Sequence, residues 1–203
     1  LHIDVDNRKD RLSRIKQLGI SELMYISTCN RVEFIFVYDG TLSENFLYSF
    51  FAVFNVDWGN KEIKWAMSNC SRYEGIQSAR HIFHIASSLD SLVVGEREII
   101  TQVRKSFDEC SALGLTGDII RLLINKTIES AKEVYTKTNI SRNPVSIVSL
   151  YSWPGSLKWT CISQNPGATT QSFASITLTS FILLAELFPL GKTASIFPLL
   201  IKI

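Results

Sequence analysis

The chain lacks any paired cysteine spacing. Cys29, Cys70, Cys110 and Cys161 lie far apart, with no C-x-x-C, and its three histidines do not cluster around them. The ligand spacing of a structural zinc site is therefore missing. Net charge is also low. Of 21 basic and 19 acidic side chains, Lys158, Lys192, Lys202 and Glu186 fall after residue 150, which leaves 18 of each sign before it. So balanced a region has no bulk attraction for nucleic acid, and an RNA partner needs a local basic patch. A signal-peptide pattern is absent: His2, Asp4, Asp6, Arg8, Lys9 and Asp10 crowd the start. A cytoplasmic setting with reduced thiols is expected, which leaves room for a reactive cysteine. Long unbroken apolar runs are missing too. The most apolar stretch, residues 173–190, contains Glu186 and falls short of the roughly 20 residues a membrane helix needs. No membrane association is expected.

What is present fits an ordinary globular protein. The 203 residues suffice for one or two domains with a real core, and 46% hydrophobic with 20% charged residues is a common balance. A short extended piece (Leu1–Val5) precedes a polar helical run in which Leu12, Ile15 and Leu18 recur at helical spacing before Gly19. Residues 21–27 and 32–38 read as strands, and Asp39-Gly40 as a turn. Residues 45–55 read as a buried, phenylalanine-rich helix, whereas 65–73 is ambiguous. From Gln77, Ala79, Ile82, Phe83, Ala86 and Leu89 make one apolar helix face, with His81 and His84 on the other side. A second helix from about Arg97 buries Ile99, Val103 and Phe107. A third follows Asp118 as N-cap, with a stripe of Ile119, Leu122, Leu123, Ile128, Ala131 and Val134. The expected fold class is α+β: a small sheet with packed helices, then a helical subdomain. After about residue 150 the chain turns Ser/Thr-rich, apolar and nearly uncharged, and an irregular tail is expected.

Two stretches carry candidate chemistry. In ISTCNRVEF (Ile26–Phe34), Cys29 lies in the short polar link between two strands, with Arg31 two residues on. A nearby cation lowers a thiol pKa, and the thiolate is the nucleophile. The alternative is a cysteine packed as a small hydrophobe. In residues 80–104, Ser91, Glu96, Glu98 and Gln102 gather around Gly95, and Glu98 and Gln102 share a helix face. Such a group suits hydrogen bonding to a small zwitterion. The alternative is two amphipathic helices with solvated polar faces, which makes His81 a surface residue.

Together, S-T-C-N-R before a strand and H-x-x-x-I-A-S-x-L-D-S-L-V-x-G-E-x-x-I-x-x-Q-V further on resemble the glutamyl-tRNA reductase family. So does KEVYTKTNISRNPVSIVS (Lys132–Ser149). The likeness covers about residues 1–150. It implies a fold with an N-terminal catalytic domain and an enzyme that uses NADPH to convert glutamyl-tRNA into glutamate-1-semialdehyde, opening the five-carbon route to tetrapyrroles. By resemblance, Cys29 is the nucleophile that forms a thioester, and His81 is a second catalytic residue. Thr28, Asn30, Arg31, Ser91, Glu96, Arg97, Glu98 and Gln102 are substrate-binding residues. Arg31 suits the substrate's side-chain carboxylate, because a guanidinium grips a carboxylate in a two-pronged fork. The resemblance also implies a homodimer and a downstream aminomutase as partner.

Departures from the pattern shape the remaining expectations. Glu98 stands where glutamine is usual, Thr101 where glycine is common and His84 where arginine is frequent. The family's opening strand is mostly missing before Leu1, so the chain is expected to be a fragment. Residues 151–203 are expected to be a non-family tail from a truncated or misread frame. Gly155, Gly167 and Gly191 stand alone, so no Gly-rich turn there seats a dinucleotide pyrophosphate; the NADPH domain and the dimerisation helices are expected to be absent. Two other readings compete. One is a cofactor-independent thiol acyl transferase or hydrolase using Cys29 and His81. The other is a chain without catalysis: an inactive fragment, or a non-catalytic protein attached to a membrane through residues 173–190.

Overall fold

The longest apolar runs pair with each other. Strand β1 (Ile20–Ser27) and β2 (Val32–Tyr38) form an antiparallel hairpin from Ile20↔Tyr38 to Ser27↔Val32. The structure is a computed structural model that describes residues 3–28, 31–90, 98–138 and 140, and the backbone of 198–202. Before the hairpin comes α1 (Val5–Lys16). After it come α2 (Glu44–Phe54), α3 (Asn60–Asn69), β3 (Ser71–Glu74), α4 (Ile76–Ala86), α5 (Glu98–Ala112), α6 (Asp118–Lys137) and β4 (Pro198–Lys202). The class is α+β, as expected from the sequence.

Almost every residue of β2 is buried, so both faces of the sheet are covered. Alternation then divides its side chains. Phe34 and Phe36 face α2, where their rings meet Phe46, Phe50 and Phe54 at 5.1–6.0 Å between centroids. Each such pair adds about 0.5–1.5 kcal/mol beyond area burial. The opposite phase carries Glu33, Ile35 and Val37, all buried, towards α4 and α6. Ser43 caps α2 by accepting from the Phe46 N–H at 3.2 Å, which starts the aromatic helix where its apolar face begins.

The sheet order is β1-β2-β4-β3, with every pairing antiparallel. The ambiguous stretch around residues 65–73 resolves into the end of α3, Cys70 and β3. β4, from the far end of the chain, runs between β2 and β3; nothing in the character of the tail announces it. The helix expected after the extended opening begins at Val5, one residue earlier than expected, with Asp4 as N-cap. In α6 the N-cap is Gly117, not Asp118, and the buried face comprises Ile120, Leu123, Ile124, Thr127, Ile128, Ala131, Val134 and Tyr135. Ile119 and Leu122 are only half-buried, and the Ile119 N–H donates to a carboxylate from β1.

Candidate functional site

The hairpin end is held tightly. Ser27 pairs with Val32, and the Thr28 N–H donates to the Arg31 carbonyl at 2.9 Å. Cys29 and Asn30, which link these positions, lie outside the described residues, as do Ser91, Glu96 and Arg97. Arg31 reaches back over the sheet. Its Nη1 lies 3.4 Å from Glu33 Oε1 and 3.7 Å from Asp90 Oδ2, and its Nη2 donates to the Asp90 carbonyl. The guanidinium is 9% exposed and the Glu33 carboxylate 0%, so this ion pair is out of bulk water.

His81 completes the cluster. Its Nε2 lies 3.3 Å from Glu33 Oε1, and its Nδ1 is 3.9 Å from Asp90 Oδ2, beyond hydrogen-bonding distance. The Tyr73 ring stacks on the imidazole at 4.4 Å between centroids and 11° between planes. His81 is therefore not the solvated surface residue of the amphipathic-helix reading. Neighbours enclose α4 on several sides: it packs on β3, β4, α5 and α6, and it buries Ser78, Ala79, His81, Ile82, Phe83, Ile85 and Ala86. The cause of Glu33's burial is its strand phase, shared with Ile35. Tyr73 joins them because Ile35 pairs with Leu200 and Leu200 with Tyr73 across β4.

The structure brings Arg31 and His81 together through Glu33 and Asp90. It places Thr28 beside them, half-buried at the hairpin end. Glu98 opens α5 exposed and Gln102 follows one turn later, half-buried; among the described residues no hydrogen bond or ion pair ties either to the cluster. Sequence reasoning did not single out Glu33, Asp90 or Tyr73. For Glu33 a signal existed: an acidic residue at an inward position of an otherwise apolar strand. For Tyr73 there was none. His84, one turn along α4, has its pKa lowered by burial first and then by Arg80 and His81, against an opposing pull from Asp90, which disfavours a charge there.

The described thiols, Cys70 and Cys110, are poor nucleophiles. Burial pushes Cys110 up to about 11, and burial also raises Cys70 despite the nearby Arg72. All described strand pairings are antiparallel, so these residues do not form the parallel strand–helix–strand unit that seats a dinucleotide, and they do not fit NADPH.

These features define an antiparallel α+β domain whose tight hairpin end stands against a buried arginine–glutamate–histidine cluster. Residues 1–138 match the family described as glutamyl-tRNAGlu reductase, N-terminal domain, and the chain belongs to that family. It is 37% identical over 137 residues to the glutamyl-tRNA reductase of Thermodesulfovibrio yellowstonii, covering 66% of this chain and 32% of that protein. The corresponding match to the Aquifex aeolicus glutamyl-tRNA reductase is 36% over 138 residues, covering 65% and 31%. The solved glutamyl-tRNA reductase from Methanopyrus kandleri shares the fold with a TM-score of 0.51 at 24% identity, over 71% of this chain and 32% of that one. The chain thus spans about a third of the length of the relatives it matches. Among the described residues no helix is long and apolar enough to cross a membrane.

Proposed function

We propose that this chain performs the glutamyl-accepting half of a glutamyl-tRNA reductase reaction, with Cys29 as nucleophile. The thiolate sulfur attacks the ester carbonyl that joins glutamate to the tRNA 3′ end. A C–S bond forms, the C–O bond to the ribose breaks, and the proton lost by the thiol ends on the ribose oxygen. The observation that carries this reading is the placement of the Arg31–Glu33–His81 cluster at the hairpin end from which the Cys29 link departs. Family membership and the raised pKa values of Cys70 and Cys110 support it. Arg31 meets the substrate's side-chain carboxylate by exchanging its contacts with Asp90 for the ligand, and Thr28, Asn30, Ser91, Glu96, Arg97, Glu98 and Gln102 supply further substrate contacts. In the complete family reaction, reduction of the thioester by NADPH gives glutamate-1-semialdehyde; the chemistry proposed for the described residues is acyl transfer alone.

The test is covalent capture. Incubation with tRNA charged with labelled glutamate, followed by acid quench, places the label on the peptide containing Cys29. Cys29→Ser removes it, because an alcohol is far less acidic than a thiol, while Cys70→Ala keeps it. Label that persists in Cys29→Ser sinks the reading.

A further inference from the structure

Glu33 is an expensive residue for a fold to keep. Its side chain is wholly buried, and only one of its two oxygens is engaged: Oε1 faces both His81 Nε2 and Arg31 Nη1, while Oε2 is buried with no partner among the described residues. Withdrawing a carboxylate from water costs several kcal/mol, and a pair with one oxygen unanswered does not recover it fully. Apolar side chains in place of a whole buried ion pair are commonly neutral or stabilising. Stability alone does not explain the acid.

We infer that Glu33 is a positioning residue that acts through His81 and Arg31: it fixes the imidazole with its proton on Nε2 and its lone pair on Nδ1, and it anchors one arm of the guanidinium. The carboxylate oxygen accepts from Nε2–H, which leaves Nδ1 as the atom that gains and loses a proton. Nδ1 lies on the side of Asp90, whose carboxylate is 44% exposed, so the proton is exchanged at the open side of the cluster and not against the sheet. Tyr73 prevents the ring from tilting by stacking flat on it. The groups that bear on His81 are thus Glu33 from β2, Arg31 from the hairpin through Glu33, Tyr73 from β3, Asp90 beyond α4, and His84 from its own helix. In the acyl transfer proposed above, Nδ1 then carries the thiol proton towards the leaving ribose oxygen. This last step rests on the Cys29 reading; the positioning of the ring does not.

The experiment has two arms on the full chain. In the first, protein labelled with 15N-histidine is examined by NMR for a hydrogen-bonded imidazole N–H assigned to Nε2 of His81. The signal is expected in the parent, lost in Glu33→Leu and regained in Glu33→Gln, whose amide oxygen still accepts a hydrogen bond. In the second, single-turnover thioester formation is expected to fall about ten- to a hundredfold in Glu33→Leu, in the range seen when a partner that orients a functional histidine is removed. Its thermal midpoint is expected to fall, because Arg31 is left buried without this carboxylate, so the rate is compared at a temperature where both proteins are folded. If Glu33→Leu fails to fold, Glu33→Asp keeps the charge but not the reach, and the same two losses are expected. An Nε2–H signal that survives in Glu33→Leu or Glu33→Asp overturns the inference, as does an unchanged acylation rate in a parent that does form the thioester. A parent that forms no thioester refutes the Cys29 reading, and the NMR arm alone then decides the role of Glu33.

Discussion

Cys110 shows how burial selects against reactivity. Its sulfur lies 1% exposed beside the Tyr25 backbone and accepts from the Tyr25 N–H at 3.3 Å. Desolvation raises its pKa from the usual 9.0 to about 11, so the folded state holds a neutral thiol where the unfolded chain carries a thiolate. The sign follows: the contribution to stability is intact below pH 9 and is lost as pH rises from 9 to 11, by about 2–3 kcal/mol. Urea unfolding measured across that range should show the parent losing more stability than Cys110→Ala. Parallel curves would mean that the thiol does not remain neutral in the fold. The same burial keeps Cys110 inert to iodoacetamide at pH 8 until the protein unfolds.

The start of α6 is set by a distant carboxylate. β1 carries one extra residue between the pairs Ile20↔Tyr38 and Glu22↔Val37, and such a bulge re-aims the side chains beside it. Glu22 points at the N-terminus of α6. Its Oε2 accepts from the N–H groups of Gly117 and Ile120 at 3.0 and 2.8 Å, and its Oε1 from Ile119 at 3.1 Å. The carboxylate thereby answers donors that a helix start leaves unpaired and complements the positive end of the helix dipole. Glycine at 117 is needed for the approach: a Cβ there meets Glu22 Oε1 at 2.5 Å. Glu22→Ala should destabilise the protein by about 1–3 kcal/mol, and Gly117→Ala should do so as well by displacing the carboxylate. Because both changes disable one cap, the double variant should lose less than the sum, read as thermal or urea unfolding. Strict additivity would show that the two residues act separately.

The sheet joins distant parts of the chain into one molecule. β4 lies between β2 and β3, so two strand spacings, about 9–10 Å, separate Glu33 from the strand of Tyr73. His81 touches both. Deletion of residues 198–202 leaves two unpaired strand edges within the sheet and removes the spacer that holds Tyr73 at its distance from Glu33. The shortened chain should unfold several degrees lower by circular dichroism and should self-associate through the open edges on size-exclusion chromatography. An unchanged midpoint and a monomeric profile would show that β4 contributes nothing to the sheet.

Local pattern sufficed where a segment's own residues supply its stability. The hairpin is legible because two apolar runs flank a short polar link, and α2, α4 and α5 because their apolar residues recur at helical spacing. The family motifs are legible because they are local and specific, and the match over residues 1–138 bears them out. The buried half of the site was not legible in this way. His81 and Glu33 are polar residues whose burial depends on α4 lying across the inward phase of β2, a contact between segments 48 positions apart. The N-terminal cap of α6 is a carboxylate 95 residues earlier. β3 and β4 are four and five residues long, too short to declare themselves, and are strands because each finds a partner. Period and composition measure what a segment prefers alone; burial of charge, helix phase and strand pairing are settled by what the rest of the chain places against it.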